Sequence, residues 1–224
     1  MIDRVLRKIE FLSLQSGVSS FSQFKKIAKY NQLDLKIIEQ NKEMLRPYYE
    51  YYVEEVSLAN MAASLELAAF MYTFCTLNHP AKLLDMGSGF SSFVFRLYAK
   101  ENPNVQVFSV DDDAVWLEKT KDFLALHQLN TEDFYTLNQF LKTTETEFDC
   151  ILLDLNFVEV RINYVERMLE IAKSNGIIIF DDVHKPDYLF ELLVKLKDKN
   201  IKAFDLKPIT LDQYKRFALA IIKD

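Results

Sequence analysis

The chain has 224 residues, 50% of them hydrophobic and 27% charged, with a formal net charge of -6. This is enough for one folded domain with some helical extra, which excludes disorder; acidity, with no Lys/Arg run longer than two residues, argues against a nucleic-acid partner. The longest apolar stretch, Leu67 to Leu77, falls short of the ~20 residues that cross a bilayer, the chain starts amphipathic rather than as a signal-peptide core, and Cys75 and Cys150 lack Cys-x-x-Cys spacing, so a cytoplasmic protein with reduced thiols and no membrane partner is expected.

Residues 1 to 80 read as helical. Val5, Leu6, Ile9 and Leu12, then Phe21, Phe24 and Ile27, recur at spacings of three and four. Gly17-Val18-Ser19-Ser20 interrupts them and offers a serine cap for the next helix. Pro47 suits a helix start, and Tyr48 to Leu77 reads as one long helix with a possible break at Ser57-Leu58-Ala59-Asn60. Asn78-His79-Pro80 ends it.

After Pro80 short apolar runs alternate with amphipathic stretches. Strands are expected at Leu83-Leu84, Val105 to Val110, Phe134 to Leu137, Cys150 to Leu153, Ile177 to Phe180, Ile201 to Leu206 and Phe217 to Ile222. Helices are expected at Phe90 to Lys100, Asp113 to His127, Val160 to Lys173 and Pro186 to Lys197. Alternation of this kind predicts an α/β fold with a parallel sheet covered on both faces. The last two strands have no obvious helix between them, so a closing antiparallel pair is expected. Residues 1–80 form a helical cap in this reading and residues 81–224 the core.

In an open parallel sheet, ligands bind beyond the carboxyl ends of the strands, where strand order reverses. Polar groups gather there: Asp85-Met86-Gly87-Ser88-Gly89-Phe90-Ser91-Ser92, Asp111-Asp112-Asp113, Asn138 and Gln139, Asp154-Leu155-Asn156, and Asp181-Asp182-Val183-His184. Glycine is scarce, with 4 residues in all where average usage would give about 16. Two of them, Gly87 and Gly89, fall in one strand-to-helix turn, where the lack of a Cβ lets a ligand approach the backbone. Asp111 follows the second strand and suits the two ribose hydroxyls of an adenosine. Asp113 suits a helix cap, and Asp112 is either a cofactor contact or simply solvated.

Leu83 to Ser91, Val107 to Asp111, Phe148 to Asp154 and Asn175 to Asp182 together resemble the class I S-adenosylmethionine-dependent methyltransferases over residues 81 to 224. The resemblance implies a Rossmann-like, seven-stranded, mostly parallel sheet with an antiparallel last strand. It implies that the loop holding Asp85, Gly87, Ser88, Gly89 and Ser91 faces the methionine part of the cofactor, that Asp111 binds ribose, and that side chains near Asn138 approach adenine. Ser91 departs from the third glycine of many members, as in small-molecule O-methyltransferase branches. Asp154, Asp181 and Asp182 resemble the acids that hold a divalent cation in metal-dependent O-methyltransferases, and oxygen ligands suit Mg²⁺ or Ca²⁺. That branch carries Asp-Asn after the fifth strand, where this chain has Asp181-Asp182. A related branch carries Asp-x-x-His after the fourth, where this chain has Asp154-Leu155-Asn156-Phe157. Ser64 stands as far before the glycine loop as a cofactor-contacting serine of the metal-dependent branch.

The expected reaction is methyl transfer from S-adenosylmethionine to an oxygen, less readily a nitrogen, of a small-molecule acceptor. His184 or Asp154 is the expected base, and Asp154 is also counted with the cofactor set. The tyrosine-rich segment Pro47-Tyr48-Tyr49-Glu50-Tyr51-Tyr52 belongs to the core, to an acceptor pocket, or to a homodimer surface on the N-terminal helices. Two rival readings stand beside this one. A nicotinamide-dependent oxidoreductase wants Gly-x-Gly-x-x-Gly, but Ser92 takes the third position and Asp85 would repel a pyrophosphate while suiting a sulfonium. A non-enzymatic protein of the same fold would use the cap for a partner.

Overall fold

The structure is a computed structural model that describes residues 2–27, 30, 32–155 and 157–223; Asn156, read above with the acids after the fourth strand, lies outside them. Seven strands, β1 (Lys82–Met86), β2 (Gln106–Asp111), β3 (Phe134–Thr136), β4 (Phe148–Leu153), β5 (Ala172–Phe180), β6 (Ala203–Asp205) and β7 (Leu219–Ile222), form one sheet of order β3-β2-β1-β4-β5-β7-β6. The first five run parallel, and β7 pairs antiparallel with both β5 and β6. The expected antiparallel last strand is therefore present, and the order reverses between β1 and β4.

The strands are apolar throughout because both faces are covered. Leu83, Cys150, Leu152, Ile177 and Ile179 lie in one buried cluster, while Leu84, Ile151, Leu153, Ile178 and Phe180 lie in the other, as a period of two requires. The first cluster is covered by α2 (Phe21–Phe24), α3 (Leu35–Glu55), α4 (Leu65–Asn78), α5 (Phe90–Glu101) and α6 (Ala114–Leu126). The second is covered by α1 (Ile2–Ser16), α7 (Leu137–Phe140), α8 (Val158–Ile171) and α9 (Pro186–Asp198).

The N-terminal helices differ from the expectation in two respects. Pro47 lies inside α3, whose N-cap is Asp34, with its side chain accepting from the Lys36 N–H. An interior proline costs ~3 kcal/mol; here the buried Leu45 and Tyr52 on either side anchor both halves of the helix in the core. The expected break near Ser57 to Asn60 separates α3 from α4. α4 is buried along Leu65 and Leu67 to Cys75 and packs on α3 and α5, whereas α1 packs on α9, so the N-terminal helices are divided between both sides of the sheet. A short helix, α10 (Lys207–Thr210), joins β6 to β7 where none was expected. At four residues it is below the length at which amphipathic periodicity can be read.

Among the described residues, no helix is long and apolar enough to cross a membrane. The tyrosines of α3 mostly pack inward. Tyr48 meets Phe93, Tyr49 meets Phe90, and Tyr51 stacks on Phe123 at centroid distances of 5.0, 5.2 and 6.2 Å. His127 sits in the same aromatic seam, 4.8 Å from Phe123.

Candidate active site

A cavity of about 690 Å³ opens at the carboxyl ends of β1, β2, β4 and β5, over the reversal of strand order. Its size is that of a small-molecule site. One half is built from the glycine loop, Asp111 and Trp116; the other from Asp154, Asp181, Asp182 and Arg161; residues 54–63, the end of α3 and its connection to α4, form a wall across both.

The loop after β1 is held from below. The Asp85 carboxylate is fully buried and accepts from the hydroxyls of Ser91 and Ser92. Ser92 also lies 2.9 Å from the Ser109 hydroxyl, which accepts from Arg96. The second Asp85 oxygen, Oδ1, has no hydrogen-bond partner, and burial pushes this carboxyl up to about 7 against the two serine hydrogen bonds. Asp85 thus lies beneath the loop rather than on the cavity wall.

Gly87 is required for a reason the sequence does not reveal. Its φ is +120°, and a Cβ there would stand 2.2 Å from the Asp154 carbonyl oxygen. The missing side chain makes room for the backbone after β4, drawn close by the Asp154 N–H donating to the Met86 carbonyl at 2.6 Å. Gly89 has another neighbour: a Cβ would meet the Tyr52 hydroxyl at 3.0 Å.

Asp111 ties the loop to β2. Its Oδ2 accepts from the Ser88 N–H at 2.8 Å and the Ser88 hydroxyl at 3.1 Å, and its Oδ1 accepts from the Asp113 N–H at 3.0 Å. A carboxylate has about four acceptor positions, so one stays available on Oδ1. Burial, opposed by these bonds, lifts the carboxyl to about 6. Asp113 caps α6 through the N–H groups of Val115 and Trp116. Trp116 turns its indole N–H onto the Ser88 carbonyl at 2.7 Å, which stands the ring against the cavity beside Asp111.

Across the cavity the three acids surround an arginine that sequence reading passed over. Arg161, on α8 and 3% exposed, places Nη2 2.8 Å from Asp154 Oδ1 and Nη1 3.2 Å from Asp182 Oδ2. Its Nε donates to the Leu155 carbonyl, and Nη1 also reaches the Asp181 carbonyl at 3.4 Å. Burial pushes the Asp154 carboxyl up to about 7, against the pull of Arg161, and holds that of Asp181 well above the usual carboxylate range. A divalent cation expected at Asp154, Asp181 and Asp182 does not fit this arrangement, because a guanidinium already bridges two of the three side chains. Among the described residues there is no group of three or more His, Cys, Asp or Glu side chains placed to hold a metal.

A second arginine fixes the wall. Arg216 is held by Asp212 at 2.7 Å and donates to the carbonyls of Ala59, Asn60 and Ala62 at 2.9 to 3.1 Å. The wall presents Leu58 and Met61 outward at 67% and 66% exposure, and Phe157 faces them across the opening at 62%.

Of the residues expected at the site, Gly87, Ser88, Gly89, Ser91, Asp111, Asp154, Asp181 and Asp182 line this cavity. Five expected residues lie elsewhere, Asp85 beneath the loop among them. Asp112 and Asn138 are exposed away from the lining. Ser64 is the N-cap of α4, its hydroxyl accepting from the Leu67 N–H, which accounts for its burial without a ligand. His184 sits behind Asp182, with Nδ1 3.5 Å from Asp182 Oδ1, and burial holds its pKa below the usual value.

The sequence matches the family described as a methyltransferase domain over residues 77–214. Among solved structures, a Podospora anserina methyltransferase bound to S-adenosylhomocysteine is similar at a TM-score of 0.61 and 18% identity, over 80% of this chain and 88% of that one. The O-methyltransferase TomG of Streptomyces achromogenes, in complex with S-adenosylmethionine, reaches 0.59 at 14% identity over 91% and 95%. An O-methyltransferase from Bacillus cereus, in complex with S-adenosylhomocysteine, reaches 0.55 at 13% over 90% and 96%. At such identities the likeness is one of fold. No curated protein matches the sequence.

Proposed function

The chain belongs to the methyltransferase-domain family, and from that premise we propose that it moves the methyl group of S-adenosylmethionine to an oxygen of a small-molecule acceptor. Membership sets aside the nicotinamide-dependent oxidoreductase; a non-enzymatic protein of this fold would bind the cofactor and methylate no acceptor. The observation that carries the proposal is the cavity itself, with one half at Asp111 and Trp116 and an acid-lined half at Asp154 under one wall that carries Leu58 and Met61.

The residues fit the cofactor. Asp111 has one acceptor position left and a hydroxyl, that of Ser88, which can turn away to leave another. These suit the two ribose hydroxyls, while the Trp116 ring gives a flat surface for adenine. The Asp85 network fixes the loop that faces the methionine part. When bound, S-adenosylmethionine supplies a methyl carbon on a positive sulfonium, open to in-line attack.

The chain's own work is alignment and proton removal. Holding acceptor oxygen and methyl carbon in line accounts for most of the rate in such reactions. The wall at residues 54–63 bounds that line on one side. Asp154 is the base in this proposal: it reaches the cavity, and its carboxyl, at about 7, is suited to take a hydroxyl proton near neutral pH. His184 acts only through Asp182. A neutral amine needs no such base to attack, which favours oxygen over nitrogen.

Self-association belongs to the same proposal. α1 exposes Val5, Leu6, Ile9 and Leu12 at 54 to 59%, and a second copy would cover them; a monomer in light scattering removes this part.

The test is transfer of an isotopically labelled methyl from S-adenosylmethionine to a panel of phenols, aliphatic alcohols, carboxylic acids and amines. A methyl ether or ester is expected. Transfer confined to amines overturns the oxygen assignment.

A further inference from the structure

We propose that Arg161 takes the place of the divalent cation at this site, so that the acid-lined half of the cavity works with a fixed organic cation and no metal. The inference rests on the methyl-transfer reading above and deepens it.

Three observations converge. The first is geometric. The guanidinium lies between the ends of β4 and β5, with its fork spread over Asp154 Oδ1, Asp182 Oδ2 and the backbone carbonyls of Leu155 and Asp181. These are the loops from which a cation would draw its oxygens. Mg²⁺ demands near-octahedral oxygen ligation and Ca²⁺ still more oxygens, yet one oxygen of each of the two nearest carboxylates is already engaged by nitrogen.

The second is charge. A divalent ion seated between Asp154 and Asp182 would stand beside a guanidinium that does not lose its proton in proteins. In a poorly screened site such repulsion is large. Relief would require Arg161 to leave, and its side chain is 4% exposed with its donors engaged on both loops.

The third is architectural. Arg161 is carried by α8, in its first turn, after the loop that follows β4. It ties that loop to the one after β5 through a side chain of the chain itself. A metal site in apo form would leave facing carboxylates to repel each other; here one guanidinium bridges Asp154 and Asp182 and offsets part of that repulsion.

The consequence concerns substrate class. A metal binds its acceptor through two adjacent oxygens and draws down the hydroxyl pKa itself. With a guanidinium already engaged by protein carboxylates, chelation is not available. The acceptor class is then a molecule with one reactive hydroxyl, recognised by the apolar wall at Leu58, Met61 and Phe157, and needing no vicinal oxygen. Arg161 is a positioning residue that acts through Asp154.

The experiment is Mn²⁺ binding followed by electron paramagnetic resonance, with S-adenosylhomocysteine affinity measured alongside by calorimetry in EDTA and in Mg²⁺. For the wild-type protein no stoichiometric Mn²⁺ is expected at millimolar metal, and the same ligand affinity in both buffers. Arg161→Met removes the charge but keeps much of the bulk, and should gain one bound Mn²⁺ that Asp154→Asn in the same background removes. One Mn²⁺ per wild-type chain, lost on Asp154→Asn, overturns the inference. So does a folded Arg161→Met variant that binds none. Should Arg161→Met not fold, the wild-type measurement still decides. Loss of S-adenosylhomocysteine binding in every buffer would strike the methyl-transfer reading instead, and the Mn²⁺ result stands apart from it.

Discussion

Asp111 carries three hydrogen bonds, yet burial holds its carboxyl near 6. A ligand whose ribose hydroxyls donate to it favours the ionised form. The folded, empty protein therefore holds a proton on Asp111 below about pH 6 that binding must release. Affinity for S-adenosylhomocysteine is expected to rise by about tenfold per pH unit below that value and to level off above it. Calorimetry in two buffers of different ionisation enthalpy should register proton release near pH 5 and little from this residue at pH 8. Asp111→Asn should flatten this slope. Gly87 makes a different prediction at the same scale. A methyl group there would overlap the Asp154 backbone at 2.2 Å, so Gly87→Ala should cost about 3 kcal/mol or more in denaturant unfolding. Both residues were legible in the sequence, but for Gly87 the reason was not. The spacing suggests room for a ligand, while the structure gives that space to the backbone after β4. Arg161 was not legible at all, because an arginine in an amphipathic helix reads as solvated until the loops after β4 and β5 are known to converge on it.

The wall over the cavity is an element held from a distance. Arg216 precedes β7, yet its guanidinium gathers three carbonyls between α3 and α4 and one carboxylate, Asp212. Arg216→Met leaves those carbonyls without their donor and Asp212 with only the backbone N–H of residue 216, which should cost about 3 kcal/mol. Hydrogen exchange is the discriminating readout: amides of residues 57–63 should exchange faster, while those of β1 and β4 keep their protection. Uniform loss of protection would mean that Arg216 supports the sheet instead. After Pro80 the elements were mostly readable from periodicity, with boundaries within a few residues; before it, α3 begins at Leu35, well ahead of the expected start at Pro47. Pro47 misled because a proline signals a helix start only where nothing else fixes the helix. Leu45 and Tyr52 supply that fixation here, and it is tertiary. α7, which takes Leu137 from the expected third strand, and α10 escaped notice because four residues carry no periodicity.

At the scale of the molecule, an alternation of strand and helix dictates a sheet with two covered faces, and this was legible from Pro80 onward. Which helices cover which face was not, since α1 and α4 both carry apolar faces and only the chain path separates them. That path places α1 beside α9 and leaves the α3–α4 connection over the strand ends, so a single cavity joins Asp111 to Asp154. A donor held at one half and an acceptor at the other is the account's central claim, and the donor half can be tested without knowing the acceptor. The measurement is calorimetric titration of the wild-type protein with S-adenosylhomocysteine at neutral pH. The account predicts saturable binding at one ligand per chain, weakened at least tenfold by Asp111→Asn. No binding to a sample shown by circular dichroism to be folded, or equal binding by the Asp111→Asn variant, would contradict it.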